Sequence, residues 1–195
     1  DGNDILVGGQ GDDQINGGAG IDVAQFSGNW SSYSTLKNPT NFVVTDKRNG
    51  QDGVESLTNV ERLKFLDKTV AIDLDGNAGI TAKVIGAVLG KDAVKSPSIF
   101  GIGLSYADRG MSYSELGALA LNAVSATTND AIVSTLWRNV LGFNASAADK
   151  APFIKMLSDG MKPGDLVVLA ADTSFNTNNI GLVGLVQTGI EYTSS

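Results

Sequence analysis

Apolar residues recur along this chain with three different spacings, and each predicts a different kind of element. At the start they are sparse and nine apart: Leu6, Ile15 and Ala24, each two residues after an acid, Asp4, Asp13 and Asp22. From Asn41 to Gly50, "NFVVTDKRNG" alternates like a half-buried strand and ends in a turn, with "WSSYSTL" before it as its hairpin partner. From Ile72, apolar residues fall at helical spacing, through "ITAKVIGAVLG" and "NDAIVSTLWRNVLG" to "NNIGLVGLVQTGIEY". The pattern predicts an α+β chain, with strands in residues 1–71 and a bundle of six or seven helices in residues 72–195.

Helix start and stop signals agree with the period. Gly90, Gly110, Gly142 and Gly160 stand where helices end; Ser112 or Ser114, Asn129 and Ser146 stand where they begin. Pro163, and Pro97 after Ser96, suit a first helical turn. Val88-Leu89-Gly90 returns as Val140-Leu141-Gly142, and Gly110-Met111 as Gly160-Met161, with Glu115-Leu116 matched by Asp165-Leu166. Two related helical units that pack on one another are expected.

Glycine keeps the nine-residue step of the opening stretch, at Gly2, Gly11 and Gly20 and at the pairs Gly8-Gly9 and Gly17-Gly18. The nonapeptide is G-G-x-G-x-D-x-U-x, with U apolar. Its glycines permit positive φ, so a tight turn can aim carbonyl oxygens at one point. The sixth residue adds a carboxylate, and carbonyl and carboxylate oxygens are what Ca²⁺ takes. A flexible Gly/Asp linker would hold no apolar residue in register. The candidate ligands are the carboxylates of Asp4, Asp13 and Asp22 and the turn carbonyls around Asp1, Asn3, Gly9, Gly11, Gly18 and Gly20. If each nonapeptide is half a coil, Asp4 and Asp22 lie on one side and Asp13 on the other.

These residues, from Asp1 to about Phe26, resemble the RTX (repeats-in-toxin, hemolysin-type calcium-binding) repeat of bacterial secreted proteins. The resemblance implies a short calcium-binding parallel β-roll with a capping β-hairpin, followed here by an all-α helical bundle. The chain opens inside a repeat whose Gly-Gly is absent, so further sequence is expected upstream.

"DGVESL" (Asp52 to Leu57) aligns with "DGNDIL" (Asp1 to Leu6), Glu55 matching Asp4 and Leu57 matching Leu6. "TNVERL" repeats the step with Glu61 and Leu63. One reading makes these two degenerate half-coils, with Glu in place of Asp as a calcium ligand, Glu55 returning above Asp13 and Glu61 above Asp22. The hairpin at about Ser27 to Gly50 then bulges out, exposing Trp30 and Tyr33, and Val60, Leu63 and Phe65 close the open end. The other reading is a plain hairpin with solvated acids.

"LTNVERLKF", "DLDGNAG", "LWRNVLG" and "VGLVQTGIEY" together resemble the helical domain of unknown function that follows RTX repeats in many secreted or surface proteins, best from Leu136 to Tyr192. That domain often carries a Gly-Arg-x-Pro step after its first helix. Here the place reads "GFNASAAD", without the arginine and proline, which puts any partner contact at that step in doubt.

Composition narrows the function. A net charge of −7 and a pI near 4.4 argue against nucleic acid and anionic membrane surfaces. There is no Cys and no His, which removes thiol nucleophiles, Ser-His dyads, disulfides and the usual zinc ligands. No apolar run reaches membrane-spanning length. "DLDGNAG" mimics an EF-hand start, but Gly76 comes two residues early and Val84 stands where a bidentate Glu is required. It reads better as the acidic, capping approach to the first helix. Trp137 falls on the core stripe of Val133, Leu136 and Val140 rather than on a sugar-stacking platform. No nucleophile, phosphate-loop or zinc motif is present, so no catalysis is expected.

The resemblance implies a calcium-stabilised module of a type I secreted extracellular or cell-surface protein, with the export machinery as partner and an export signal at the C-terminus. "GIEYTSS" is small, polar and uncharged at its end, which permits such a signal. The alternative is a surface-attachment module binding a polysaccharide or a second copy through its helical half.

Overall fold

The computed structural model describes residues 1–194. The fold is α+β, with two mixed β-sheets and eight α-helices among the described residues. It divides into two compact units, Asp1–Leu74 with Gly184–Thr193, and Asp75–Val183.

In the first unit the nine-residue step sends successive strands to alternate sheets. The strands are β1 (Ile5–Leu6), β2 (Asp13–Asn16), β3 (Val23–Gln25), β4 (Tyr33–Lys37), β5 (Phe42–Asp46), β6 (Val54–Thr58), β7 (Arg62–Lys64), β8 (Thr69–Ala71) and β9 (Ile190–Tyr192). One sheet has the order β1-β3-β7-β8-β9 and the other β2-β6-β5-β4. The pairs β1–β3, β3–β7 and β2–β6 are parallel, which sets Leu6 beside Ala24, Ala24 beside Leu63, and Ile15 beside Leu57. Ala24, Leu57 and Leu63 are buried in one core with Phe42, Val44 and Val70, so the apolar member of each repeat faces inward from both sheets.

Two expectations about the hairpin change. β4 and β5 do pair antiparallel, but β5 also pairs with β6, so the hairpin widens the sheet instead of bulging from it. Tyr33 is buried and Trp30 packs against Phe65, whereas both were expected outside. Phe26 stacks on Phe65 at 4.8 Å between ring centroids, and Tyr33 and Trp30 lean on that pair at 5.0 Å from Phe65. An aromatic cluster buries large apolar area, and that gain holds the hairpin down.

The second unit is helical: α1 (Asn77–Leu89), α2 (Pro97–Asp108), α3 (Tyr113–Ala123), α4 (Asn129–Leu141), α5 (Ala147–Ser158), α6 (Pro163–Ala171) and α7 (Ser174–Asn179), with α8 (Leu182–Thr188) leading out of it. Ser112 and Ser146 cap α3 and α5 in full capping boxes with Glu115 and Asp149. Thr128, not Asn129, caps α4. The internal repeat corresponds to α1–α2–α3 and α4–α5–α6. Asn139 Nδ2 donates to the carbonyl of Val88 at 2.6 Å and Asn179 Nδ2 to that of Val140 at 2.6 Å, so the ends of α1 and α4 are closed alike. α3 and α6 approach closely because Gly117 faces Val167 and Gly164 faces the carbonyl of Ser114.

The helical reading fails at its end. Ile190–Tyr192 is a strand paired antiparallel with β8. Gly189 takes φ +70° and stops the helix. "IEY" then has the buried, exposed, half-buried alternation of an edge strand.

Candidate metal centre

The parallel registers gather the acids into two columns. Asp4 precedes β1, Asp22 precedes β3 and Glu61 precedes β7, so the three follow one another along one sheet. Asp13 and Glu55 lie side by side in the β2–β6 pair of the other sheet. This is the pairing that the alignment of "DGVESL" with "DGNDIL" predicts.

Backbone bonds knit the first column. The Asp4 N–H donates to Asp22 Oδ1 at 2.8 Å, and the Asp22 N–H donates to Glu61 Oε2 at 2.8 Å. The turns stack as well, with the Gly2 N–H donating to the Ala19 carbonyl at 2.8 Å. Side chains at the fifth repeat position clasp the neighbouring strand's approach. Asn3 Oδ1 accepts from the Ile21 N–H at 2.9 Å, and Asp12 Oδ1 from the Val54 N–H at 2.9 Å. Asp1 is exposed, and Gly9, Gly11, Gly18 and Gly20 are exposed turn residues at positive φ.

The columns are electrostatically unfinished. Asp22 is fully buried and Glu55 is 2% exposed. Asp13 Oδ2, Asp22 Oδ2 and Glu55 Oε2 are buried with no hydrogen-bond partner. Burial, then the charges of Asp13, Asp52 and Asp12, push the Glu55 carboxyl up to about 7. Glu61 is raised above the ordinary carboxylate range by burial and by the Asp22 and Asp73 charges, against the Asp22 N–H and Arg62, which lower it. A buried carboxylate without a partner is costly, and two side by side more so.

Glycine makes room for these oxygens. A Cβ on Gly8 would lie 2.6 Å from Glu55 Oε2, and one on Gly17 would lie 2.6 Å from Asp22 Oδ2. Gly8 and Gly17 stand nine apart, so each column has an equivalent cradle. A cavity of about 270 Å³ beside Glu55 is lined by Gly8, Gly9, Gln10, Gln51 and Asp52 among others. Its donors are all oxygens or amides, the chemistry that suits a hard cation. Among the described residues no three His, Cys, Asp or Glu side chains form a metal-binding group. An ion here would take a pair of carboxylates, Asp13 with Glu55 or Asp22 with Glu61, and complete its shell from turn carbonyls and water.

Several polar partners escaped the sequence reading. Asp52 accepts from the Ser27 N–H at 2.8 Å and from Ser27 Oγ at 2.6 Å, and Arg48 holds Asp46 at 2.6 Å. Arg62 is 2% exposed and pairs with Asp73, so the first acid of "DLDGNAG" serves a buried arginine rather than a cap or a cation. Gly76 occupies the N-cap position of α1, with no side-chain cap.

In the helical unit, an apolar cavity of about 290 Å³ lies between α4, α5 and α6, lined by Leu136, Trp137, Phe153 and Leu169 among others. Trp137 meets Phe143 and Phe153 edge-on at 6.2 and 6.0 Å. Among the described residues no helix is long and apolar enough to cross a membrane. The chain matches no protein-family model, and no curated protein matches it.

Proposed function

We propose that this chain is a calcium-stabilised module of a type I secreted bacterial protein, extracellular or at the cell surface, and that its sheet unit is the end of an RTX β-roll. The observation that carries the reading is the set of buried, partnerless carboxylate oxygens on Asp13, Asp22 and Glu55. Where calcium is scarce, as in a cytosol, the paired acids repel and the sheet unit stays open and threadable through the export machinery. Outside, at roughly 10⁻⁴–10⁻³ M calcium, extracellular sites of this kind fill. Bound calcium supplies positive charge between the carboxylates. Binding to the native state alone then adds directly to folding free energy. The proposal assigns no catalytic step to this chain.

Calorimetric titration of the metal-free protein with Ca²⁺ tests it. We expect uptake with strand formation, weakened by Asp22→Asn and by Glu55→Gln. Full strand content in chelator with no heat of calcium binding would remove the proposal.

A second reading rests on the helical unit: surface attachment by self-association. What supports it is the apolar cavity, whose lining includes Leu169 and Phe175, 54% and 61% exposed. A monomer at all concentrations in sedimentation, unchanged by Phe175→Asp, would dismiss it.

A further inference from the structure

The last strand, β9, lies in the same sheet as the Asp22–Glu61 pair, although it follows the whole helical unit in sequence. Its attachment runs back to Glu61 in two steps. The Glu61 carbonyl accepts from the Ile72 N–H at 2.9 Å, and Arg62 pairs in register with Ala71, so β8 is laid directly on the strand that Glu61 opens. Ala71 in turn pairs with Ile190. On β8, Thr69 Oγ1 donates to the Tyr192 carbonyl at 2.6 Å, and just before it Lys68 holds Glu191 at 2.6 Å. Ile190 is 5% exposed.

A second link passes through Arg62. This side chain follows Glu61 directly, is buried, pairs with Asp73, and places its guanidinium 6.0 Å from the centre of the Tyr192 ring. The position of β7 therefore fixes both the ladder partner of β9 and the cation beneath its terminal ring.

We propose that cation uptake by the Asp22–Glu61 pair governs whether β9 is docked on the sheet or released from it, an inference that rests on the calcium reading above. Without a cation, two adjacent acids at the β3–β7 seam repel, and Glu61 draws β7 away from β3. β7 is the strand through which β8 and β9 join this sheet, so they loosen with it. With a cation between the acids the seam closes, Arg62 is seated, and β9 is held. The rival is a β7–β8–β9 meander that persists by itself, because Val70, Ile72 and Ile190 are buried.

Coupling of this kind is reciprocal, so a change at β9 must weaken calcium binding at a pair it never touches. Arg62 acts here as a positioning residue, through β7 and Tyr192, and not as a ligand.

The test uses the full chain, with calcium itself as the probe, and reads hydrogen exchange at Val70 and Tyr192 while calcium uptake is measured calorimetrically in the same samples. We expect about ten-fold or greater slowing of exchange in β8 and β9 on saturation, as for a segment moved from local opening to a folded sheet. Glu61→Gln should shift that protection to higher calcium. Tyr192→Ala should weaken calcium affinity several-fold. Calcium uptake that slows exchange in β1 to β6 but leaves β9 unchanged overturns the inference and leaves the calcium reading standing for those strands. No uptake overturns both. Because Glu61→Gln can also perturb folding, a second variant, Ile190→Cys, reads the same event in a chain that has no native cysteine. Its thiol should react with Ellman's reagent fast in chelator and slowly in calcium, and equal rates overturn the inference.

Discussion

The two units bury different kinds of polar group. In the sheet unit the deeply buried polar residues are charged: Asp22, Glu55 and Arg62. In the helical unit they are neutral: Thr81 and Asn176. Asn176 Nδ2 donates to the carbonyls of Lys83 and Ala171 at 3.0 and 2.9 Å, while Asn176 Oδ1, Thr81 Oγ1 and Trp137 Nε1 are buried without a partner. Arg62 has Asp73, but the acids of the sheet unit face one another. A neutral polar group buried without a partner costs far less than a buried charge, so the helical unit tolerates its three. A unit that packs acid against acid needs a counter-ion before its apolar gains count. On the calcium proposal, the helical unit folds unaided and the sheet unit folds only with a cation, a condition set by charge rather than by apolar area.

The largest expected effect breaks the two units apart. Chelation should remove the strand signal in circular dichroism and keep the helix signal, because the stripe of Leu, Val and Ile in α1, α4 and α6 buries its area unaided. Loss of both signals at one chelator concentration would mean a single cooperative system and would end the comparison.

Glycine substitutions come next, and they separate the units by address. Gly164→Ala forces a methyl group into the Ser114 carbonyl where α6 meets α3. Gly17→Ala forces one against the Asp22 carboxylate and the Asn59 carbonyl. Overpacking of this kind costs about 1–3 kcal/mol, or more where only backbone can yield. The first should lower the melting temperature of the helix signal with or without calcium. The second should act on the strand signal in calcium and leave the helical melt in place. Equal effects of Gly17→Ala on both signals would show that the units do not unfold separately.

A smaller effect checks the helix starts. Ser112→Ala and Ser146→Ala each remove one capping box and should cost about 1 kcal/mol in the helical unit. Asn129→Ala should cost less than Thr128→Ala, since Thr128 makes the cap. The reverse order in thermal melts would reassign the start of α4.

How much of this was legible in the sequence follows from which interactions are local. The nine-residue step sets Asp4 beside Asp22, and one of two readings of "DGVESL" and "TNVERL" sets Glu55 beside Asp13 and Glu61 beside Asp22, the registers found. Ser146, and Ser112 or Ser114, were legible as helix starts because a cap is a local bond, while the capping boxes with Glu115 and Asp149 emerge in the fold. What stayed hidden joins distant residues. Nothing in "TGIEY" says that it returns to β8, since a three-residue edge strand has too short a period to read and lies next to a helical stretch. The cradles at Gly8 and Gly17 were visible as glycine but not as contacts with Glu55 and Asp22. Arg62 was unremarkable in "TNVERL" until Asp73 was seen beside it. Tyr33 and Trp30 were misplaced because a hairpin of mixed composition does not declare which face meets Phe65.

The pH dependence of Glu55 separates the two units most directly. Burial and the charges of Asp13, Asp52 and Asp12 raise this carboxyl to about 7 in the folded chain, against about 4.3 for a free glutamate. Between those values the folded state binds the proton more tightly than the unfolded state does. The resulting stability is therefore fully present below the unfolded value and is lost as pH rises through about 7. In chelator, the sheet unit should show more strand signal at pH 5 than at pH 7.5, read by circular dichroism. Glu55→Gln removes the titrating group, so in chelator it should raise stability at pH 7.5 slightly and flatten the pH slope. In calcium the sign reverses, because a ligand that needs the deprotonated form has lost its charge. A neutral amide that stabilises without calcium and weakens the chain with it marks Glu55 as a carboxylate placed for a cation. If Glu55→Gln shifts stability equally in chelator and in calcium, this acid is an ordinary buried group and belongs to no calcium site.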